Sequence, residues 1–547
     1  MSAKAGKSKS QAAAPAAPAA PAGPAGPTGP AAPAPSPWST QPPKMFRKVL
    51  IANRGEIAIR IQRTLRELGV GAVAVYSEPD ARASHVTRAD EAYLLGPAEA
   101  AQSYLNQDKL IEIATYAGCD AVHPGYGFLS ENAAFARRCA GAGLVFIGPP
   151  PAAIEAMGSK IGARRIMQKS GVPVVPGSDG ASQDLAVIEK AAAAIGFPVL
   201  VKASAGGGGK GMRIVERAAD FRGAATLARG EAEKAFGDGT LYVEKYLESP
   251  RHIEFQVFAD AHGNCVHLFE RECSIQRRHQ KIIEETPSPA MTPDLRARMG
   301  EAAVAAALAV DYRGAGTIEF MLDAYGDFYF LEMNTRLQVE HPITEMVTGL
   351  DLVRLQLEVA AGAPLPPEAL APVQRGHALE CRIYAEDPAH GFLPGSGTVQ
   401  RIRHPGGPGV RVDGALRDGL EVSIHYDPML AKVITVGRDR DESWLRMRRA
   451  LAEFVILGIP TNLTYLQAIL ETDAYRRGAL TTHFLAEHLA DWKPEMVPLP
   501  DAGWAALALH DLVGGRARAG GAAADASVAS PWDTLTGWRH AAENGGR

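Results

Sequence analysis

Apolar and polar positions along this chain follow two periods, and the switches between them mark where its elements lie. Val49 to Ala52 is a short apolar run, Gly55 to Leu68 carries apolar residues at helical spacing, and Ala72 to Tyr76 is apolar again, which predicts a βαβ opening. Pro198 to Lys202 (PVLVK) predicts a buried strand ending on a lysine, Met212 to Val215 a second strand, and Leu241 to Leu247 (LYVEKYL) an edge-capable one. Thr317 to Leu322 (TIEFML) and Phe328 to Glu332 (FYFLE) predict two arms of a hairpin around Tyr325-Gly326-Asp327. Side chains alternate along a strand, so Glu332, Asn334 and Arg336 of the segment LEMNTRLQVEH (Leu331 to His341) are expected on one face. If Asp323 pairs with Phe328 across a four-residue loop, the register carried down the ladder sets Glu319 opposite Glu332. Two facing carboxylates destabilise each other unless they share a proton or a cation, and an oxygen-seeking octahedral ion such as Mg²⁺, shared with a substrate phosphate, meets that need. A wet outer face with both carboxylates solvated is the plain alternative.

At 547 residues the chain is too long for one core, so three or more domains are expected. A formal net charge of −4 argues against a dedicated nucleic-acid binder, and no apolar run is long enough to predict a membrane span. Five cysteines, at 119, 139, 265, 273 and 381, show neither metal-ligand nor disulfide spacing, which fits a reducing cytoplasm. Residues 1–44 are mostly Ala and Pro with four lysines and no arginine; they are expected to be a disordered tether rather than a secretory or mitochondrial leader. A Pro-rich joint at 364–372 separates a block ending near Gly362 from one running from Gly376 to about Leu489. Beyond Trp492 the chain becomes Ala/Gly-rich, from Gly514 to Ala529, without periodicity to sustain a core.

The strand ending on Lys202 opens into Ser204-Ala205-Gly206-Gly207-Gly208-Gly209-Lys210-Gly211. Four consecutive glycines cost too much backbone entropy to be filler, and they let N–H groups close over phosphate oxygens. It is not a P-loop, because Gly211 stands where Ser or Thr would hold Mg²⁺. Its place between two strands suits a mobile lid around ATP better than a linker. Glu244 and Leu247 are available to an adenine or ribose, although core packing explains Leu247 equally well. Arg277-Arg278-His279-Gln280-Lys281 reads as a solvated run or, between strands, as an anion site for bicarbonate or phosphate. The loop HPGYGFLSEN (His123 to Asn132) suits a binding loop at a sheet's edge or an ordinary connection, and Lys160 alone is a routine helix lysine. No GxGxxG follows the first strand, which favours a structural role for the opening unit over dinucleotide binding.

Taken together, ANRGEIA (52–58), HPGYGFLSEN, MGSK (157–160), KASAGGGGKGM (202–212), EKYL (244–247), RRHQK, GAGTIEF (314–320), EMNTRLQVEHPITE (332–345) and ECRIYAEDP (380–388) resemble the biotin carboxylase component of biotin-dependent acyl-CoA carboxylases. These belong to the ATP-grasp superfamily, and the resemblance covers Met45 to about Leu489. It implies an α/β and α+β multidomain fold: a Rossmann-like N-terminal (pre-ATP-grasp) domain at 45–157, an ATP-grasp domain at 158–375 with a mobile glycine-rich lid at about 174–247, and a biotin carboxylase C-terminal domain at 376–490. The tether at 1–44 and a largely disordered tail at 491–547 flank them. YDPMLAK (Tyr426 to Lys432) and the fragment from Ser530 to Arg539, with Trp532 and Trp538, are closer to propionyl- or methylcrotonyl-CoA carboxylase α subunits, truncated before the carrier domain.

The implied chemistry has two steps: ATP phosphorylates bicarbonate to carboxyphosphate, and the carboxyl group then moves to N1′ of carrier-bound biotin. By resemblance, Lys160, Lys202, Gly208, Gly209, Glu244, Lys245, Leu247, His252, His279 and Gln280 contact the nucleotide, and Lys281 lies nearest the transferred group. Glu319, Glu332 and Asn334 hold Mg²⁺ or Mn²⁺; Glu340 is the base toward bicarbonate; Arg336 holds bicarbonate and stabilises the enolate-like biotin oxygen; Gln338, Val339 and Arg382 position bicarbonate and biotin. The implied partners are a biotin carboxyl carrier protein and a carboxyltransferase, in a homodimer or larger complex without nucleic acid or membrane, serving an acyl-CoA carboxylase such as acetyl-CoA carboxylase in fatty acid metabolism. No Met-Lys-Met carrier motif occurs, so biotin is expected as a substrate not attached to this chain. Competing readings are another ATP-grasp ligase, disfavoured by RLQVEH followed by the block from Gly376, and a non-catalytic assembly protein, disfavoured because every implied position is filled.

Overall fold

The computed structural model describes residues 45–178, 180–204, 211–278, 280–495 and 498–519. Its first layer is a parallel five-stranded sheet in the order β3-β2-β1-β4-β5. The strands are β1 (Lys48–Ile51), β2 (Gly71–Ser77), β3 (Glu91–Gly96), β4 (Ala121–His123) and β5 (Val145–Phe146), with helix α1 (Gly55–Glu67) joining the first two. Val49, Leu50, Ile51, Val73 and Val75 are fully buried, as the continuous apolar runs of a sheet covered on both faces require. The loop HPGYGFLSEN leaves the carboxyl end of β4, an inner strand, rather than a sheet edge.

A small antiparallel sheet, β7-β6-β8, is built from β6 (Val199–Ala203), β7 (Met212–Val215) and β8 (Leu241–Lys245), so β8 is an edge. On β6 the side chains alternate: Val199, Val201 and Ala203 enter a core with the helices Leu185–Ile195 and Phe221–Phe236, while Leu200 and Lys202 turn to the opposite, cleft-facing side.

The largest element is an antiparallel sheet of eight strands. In space it runs β13 (Phe328–Asn334), β12 (Gly314–Leu322), β9 (Arg251–Ala259), β10 (Cys265–Arg277), β11 (Gln280–Thr286) and β14 (His377–Tyr384), followed by Met429–Gly437 and Val410–Gly414. The Pro-rich joint interrupts the chain between β13 and β14 but not the sheet, because β11 and β14 pair directly.

The hairpin corrects the expected register in an instructive way. Phe328 pairs with Leu322, not Asp323, and the loop therefore has five residues, closed by the amide of Asp323 on the carbonyl of Asp327 at 2.9 Å. A β-bulge between Glu319 and Phe320 shifts the ladder back by one, and Glu319 still faces Glu332. The strand stops at Asn334, so Arg336 is not on the expected strand face and reaches the site from the following turn. A second difference lies beyond Trp492, where the helix Asp501–Ala519 forms in a stretch for which no element is expected; its Trp504, Leu507, Leu509 and Leu512 are exposed. Trp532 and Trp538 lie outside the described residues.

The sheet is tied to the helix Arg440–Glu453 by a buried ion group. Glu285 on β11 accepts from Arg440 Nε at 2.7 Å and lies 3.0 Å from His377 Nε2. Burial alone would raise this carboxyl, but His377 and Arg440 outweigh it and hold it at about 2. A carboxylate lowered in the folded state contributes stability that is complete above its ordinary value of 4.5 and is lost as the pH falls toward 2. At neutral pH the contribution is about 3 kcal/mol. Glu285→Gln is expected to lower the melting temperature at pH 7, with the gap to wild type narrowing as the pH drops below 4.5; an offset independent of pH in thermal melts would contradict this.

Candidate active site

A cleft of about 800 Å³ opens between the small sheet and one face of the large one. Lys160, Lys202, Glu244, Lys245, Leu247, His252, Gln280, Lys281, Glu319, Glu332, Asn334, Arg336, Gln338, Val339 and Arg382 all line it. Gly208, Gly209 and His279 lie outside the described residues, as does the glycine run at 205–210 within the expected lid.

Lys281 stands at the centre. It is the second residue of β11, and its Nζ donates to Glu254, to Glu319 Oε1 at 2.8 Å and to Glu340 Oε1 at 2.8 Å. Burial would lower this ammonium, but the three carboxylates win and raise it well above its ordinary value. Each of those carboxylates has a second basic partner: Arg271 on Glu254, His252 on Glu319 at 2.8 Å, and Arg382 on Glu340 at 2.8 Å. The site is thus a lattice of opposed charges removed from water, in which losing one member leaves its partner uncompensated.

Glu340 immediately precedes the helix His341–Thr348 and is fully buried. Burial would raise it, but Lys281, Arg382 and Arg271 hold it well below the usual carboxylate range. The arginine in contact with it is Arg382. Arg336 instead donates to Glu131 Oε2 at 2.9 Å, Asn334 Oδ1 at 2.7 Å and Gln338 Oε1 at 2.7 Å, which fixes the plane of its guanidinium.

The facing pair is asymmetric. Glu319 accepts from Lys281, from Asn334 Nδ2 at 2.7 Å and from Gln338 Nε2 at 3.1 Å, and although burial would raise it, Lys281 and His252 hold it low. Glu332 makes no hydrogen bond or ion pair among the described residues, and burial together with Glu319 raises it against the pull of Lys160. A divalent cation would relieve that strain at Glu332. The donor set fits one: two carboxylates that face each other across a strand pair, next to an amide.

At the opposite end the Glu244 carboxylate is held by Arg164 at 2.9 Å and by Lys202 at 2.5 Å. Lys245 turns its Nζ to the carbonyls of Gly196 and Phe197, at 3.0 and 3.3 Å. Lys160 opens the helix Lys160–Lys169 and keeps its ammonium toward the cleft, lowered by burial.

Glu131, Arg164, Glu254, Arg271 and Glu284 belong to this constellation and escaped sequence reasoning. Glu254 was within reach: on β9 it alternates with His252, which the family resemblance points to. Glu131 sits inside HPGYGFLSEN, but its partners Thr335 and Arg336 are more than two hundred residues away, and no local pattern signals such a contact.

Comparison with known proteins decides the family. The families described as "Biotin carboxylase, N-terminal domain", "Carbamoyl-phosphate synthase L chain, ATP binding domain" and "Biotin carboxylase C-terminal domain" match residues 45–154, 159–368 and 380–487. The biotin carboxylase of Halalkalibacterium halodurans is 52% identical over 81% of this chain and 98% of its own length. The chain belongs to the biotin carboxylase family. As a biotin carboxylase it is an ATP-dependent ligase that carboxylates biotin as part of a biotin-dependent carboxylase. A pyruvate carboxylase subunit from Methanothermobacter thermautotrophicus is 53% identical over 83% of this chain and 92% of that protein. The mitochondrial methylcrotonoyl-CoA carboxylase α subunit of Dictyostelium discoideum is 50% identical over 91% of this chain and 71% of that protein. Among solved structures, the biotin carboxylase domain dimer of Hydrogenobacter thermophilus 2-oxoglutarate carboxylase, in complex with MgADP, ADP and bicarbonate, superposes with a TM-score of 0.79. It is 46% identical and covers 82% of this chain and all of that one.

For this biotin carboxylase, Glu131→Gln is expected to free the Arg336 side chain and lower carboxylation about tenfold, the worth of one charged hydrogen bond. Glu131→Asp should recover less than half of the loss, because the shorter carboxylate cannot hold Thr335 and Arg336 together. Unchanged steady-state carboxylation in Glu131→Gln would contradict the positioning of Arg336 through this contact.

Proposed function

We propose that this biotin carboxylase uses Mg²⁺-ATP and bicarbonate to make carboxyphosphate and passes the carboxyl group to N1′ of biotin on a separate carrier protein. The observation that carries this reading is the convergence of Glu319, Glu340 and Glu254 on Lys281 inside one cleft, with Arg336 and Arg382 at its wall.

Glu340 takes the proton of bicarbonate. Its position is buried and ionised, so no charge has to be created before it acts. The bicarbonate oxygen so freed attacks the γ-phosphorus of ATP, ADP leaves, and carboxyphosphate forms. Lys281 and Lys160 face the charge that builds on the transferring phosphoryl oxygens, and Lys202 faces the remaining phosphates. Glu319, Glu332 and Asn334 would hold Mg²⁺ or Mn²⁺, which would supply neutralisation of phosphate charge. Glu244, Lys245, Leu247, His252, Gln280 and His279 serve the nucleotide, with Gly208 and Gly209 closing over it. In the second step the carbon–oxygen bond of carboxyphosphate breaks, phosphate leaves and takes the N1′ proton as the carbon–N1′ bond forms; Arg336 holds the charge that develops on the biotin ureido oxygen, while Gln338, Val339 and Arg382 set bicarbonate and biotin in register.

The partners of this reading are a biotin carboxyl carrier protein and a carboxyltransferase, around a dimer of this chain. The dimeric form of the Hydrogenobacter relative and the spread of relatives across different carboxylases support that arrangement. An acyl-CoA carboxylase, including acetyl-CoA carboxylase in fatty acid synthesis, is the pathway that we favour. Five free cysteines suit the cytoplasm, and no helix among the described residues is long and apolar enough to cross a membrane. The chain divides at about 157/158 and 375/376 into its three working domains.

Labelled bicarbonate, ATP and a purified biotinylated carrier test this directly: label should appear on the carrier and not on this chain. Label retained on this polypeptide, or none on the carrier, would overturn it. Glu332→Gln is expected to fold normally, since one of two facing charges is removed, yet to lose about 10²-fold in Mg²⁺-ATP turnover. Near-normal turnover at limiting Mg²⁺ would end the metal assignment.

A further inference from the structure

Another pair of facing carboxylates lies behind the cleft. Glu284 on β11 is directly opposite Glu380 on β14, so both side chains emerge on the same face of the sheet. Both residues are fully buried. Glu284 Oε1 accepts from Arg382 Nε at 2.6 Å, and Arg382 Nη2 continues to Glu340. Glu284 Oε2 and both oxygens of Glu380 have no hydrogen-bond partner among the described residues.

The charged groups that face Glu380 are Glu284, Arg382, Glu340 and Lys432. Lys432, from the adjacent strand, is committed to the Val339 carbonyl at 2.8 Å and to Glu56 at 3.2 Å. His341 stays neutral through burial. Arg382 is therefore the one cation bonded to this pair among the described residues, and it is shared with Glu340. Glu340 also has Lys281, but Glu284 has Arg382 alone and Glu380 has no bonded cation, so in a dry interior Glu380, the one without a hydrogen bond, is the one to keep its proton. Burial pushes Glu380 well above the usual carboxylate range and Glu284 up to about 7, in the same direction.

We infer that Glu380 is a neutral carboxylic acid that donates to the bare oxygen of Glu284, and that this acid–carboxylate pair positions Arg382. Glu284 then presents one oxygen to Arg382 and one to Glu380, and the guanidinium is held in plane from behind while its other edge meets Glu340. Glu284 and Glu380 touch no substrate; they act through Arg382. This rests on the proposed role of Arg382 toward bicarbonate and biotin.

Infrared spectroscopy of the whole protein reads the protonation state: a protonated-carboxyl C=O stretch at neutral pH, shifted in D₂O and missing in Glu380→Gln. Free-biotin kinetics read the positioning. Glu284→Gln is expected to lower kcat/KM for biotin about tenfold with the KM for ATP within about twofold. Glu380→Gln replaces one neutral donor by another and should stay within about twofold of wild type, whereas Glu380→Leu, of similar size but without a donor, should fall with Glu284→Gln. No such band, a Glu380→Gln chain that does not fold, or equal losses in Glu380→Gln and Glu380→Leu would overturn the inference. If Arg382→Lys leaves biotin kinetics unchanged, the role of Arg382 fails and the positioning falls with it, while the infrared band still decides the state of Glu380.

Discussion

Glu340→Gln is expected to reduce bicarbonate-dependent ATP turnover by about 10²- to 10⁴-fold, the range spanned by loss of a positioned general base. The substitution keeps size but cannot accept a proton, and with one acceptor oxygen in place of two it leaves Lys281 or Arg382 facing an amide NH₂. Nucleotide affinity should change little, because Glu340 is bonded to Lys281 and Arg382 and its proposed role is toward bicarbonate, not the nucleotide. The wild-type enzyme should also show no acid limb from this group above its ordinary value of 4.5, since Lys281 and Arg382 keep it ionised far below that. Steady-state turnover measured across pH checks both points. A loss under about tenfold would remove Glu340 from the role of base.

Arg336→Ala should cost about 10²- to 10³-fold in biotin carboxylation and far less in ATP binding. The guanidinium is locked by Glu131, Asn334 and Gln338, so it is set to meet charge that develops later rather than charge already on the nucleotide. Arg336→Lys should not restore activity, because a single ammonium cannot satisfy three acceptors spread along a planar fork. Separate measurement of nucleotide affinity and of carboxybiotin formed per ATP distinguishes the two effects. Lost nucleotide affinity with unchanged carboxylation per bound ATP would contradict the assignment.

What the sequence makes legible here is what local period controls. The βαβ opening, the strand into the glycines and the hairpin arms follow from apolar spacing and turn residues, with ends that move by one to three residues. The Glu319–Glu332 pairing is correct for a reason that spacing cannot supply: a loop one residue longer than expected is offset by a bulge between Glu319 and Phe320. Arg336 joins Asn334 not as a strand neighbour but through a turn that brings Nη2 back to Oδ1 at 2.7 Å.

Less legible is everything made by distant pairing. Glu131 on Arg336, Arg271 on Glu254 and Glu284 on Arg382 are contacts between elements whose proximity is set by the eight-stranded sheet and its neighbours. Glu380 lies within the motif ECRIYAEDP, yet its importance emerges only from the register that places it opposite Glu284. The helix Asp501–Ala519 is the reverse case, in which alanine-rich helix propensity outweighs the lack of an amphipathic pattern.

The most direct test of the central claim is ATP hydrolysis by the purified chain with and without bicarbonate and free biotin. Turnover should require bicarbonate, rise when biotin is added, and yield carboxybiotin in proportion to the added rate. ATP hydrolysis that is indifferent to bicarbonate, or that yields no carboxybiotin at saturating biotin, would contradict the account.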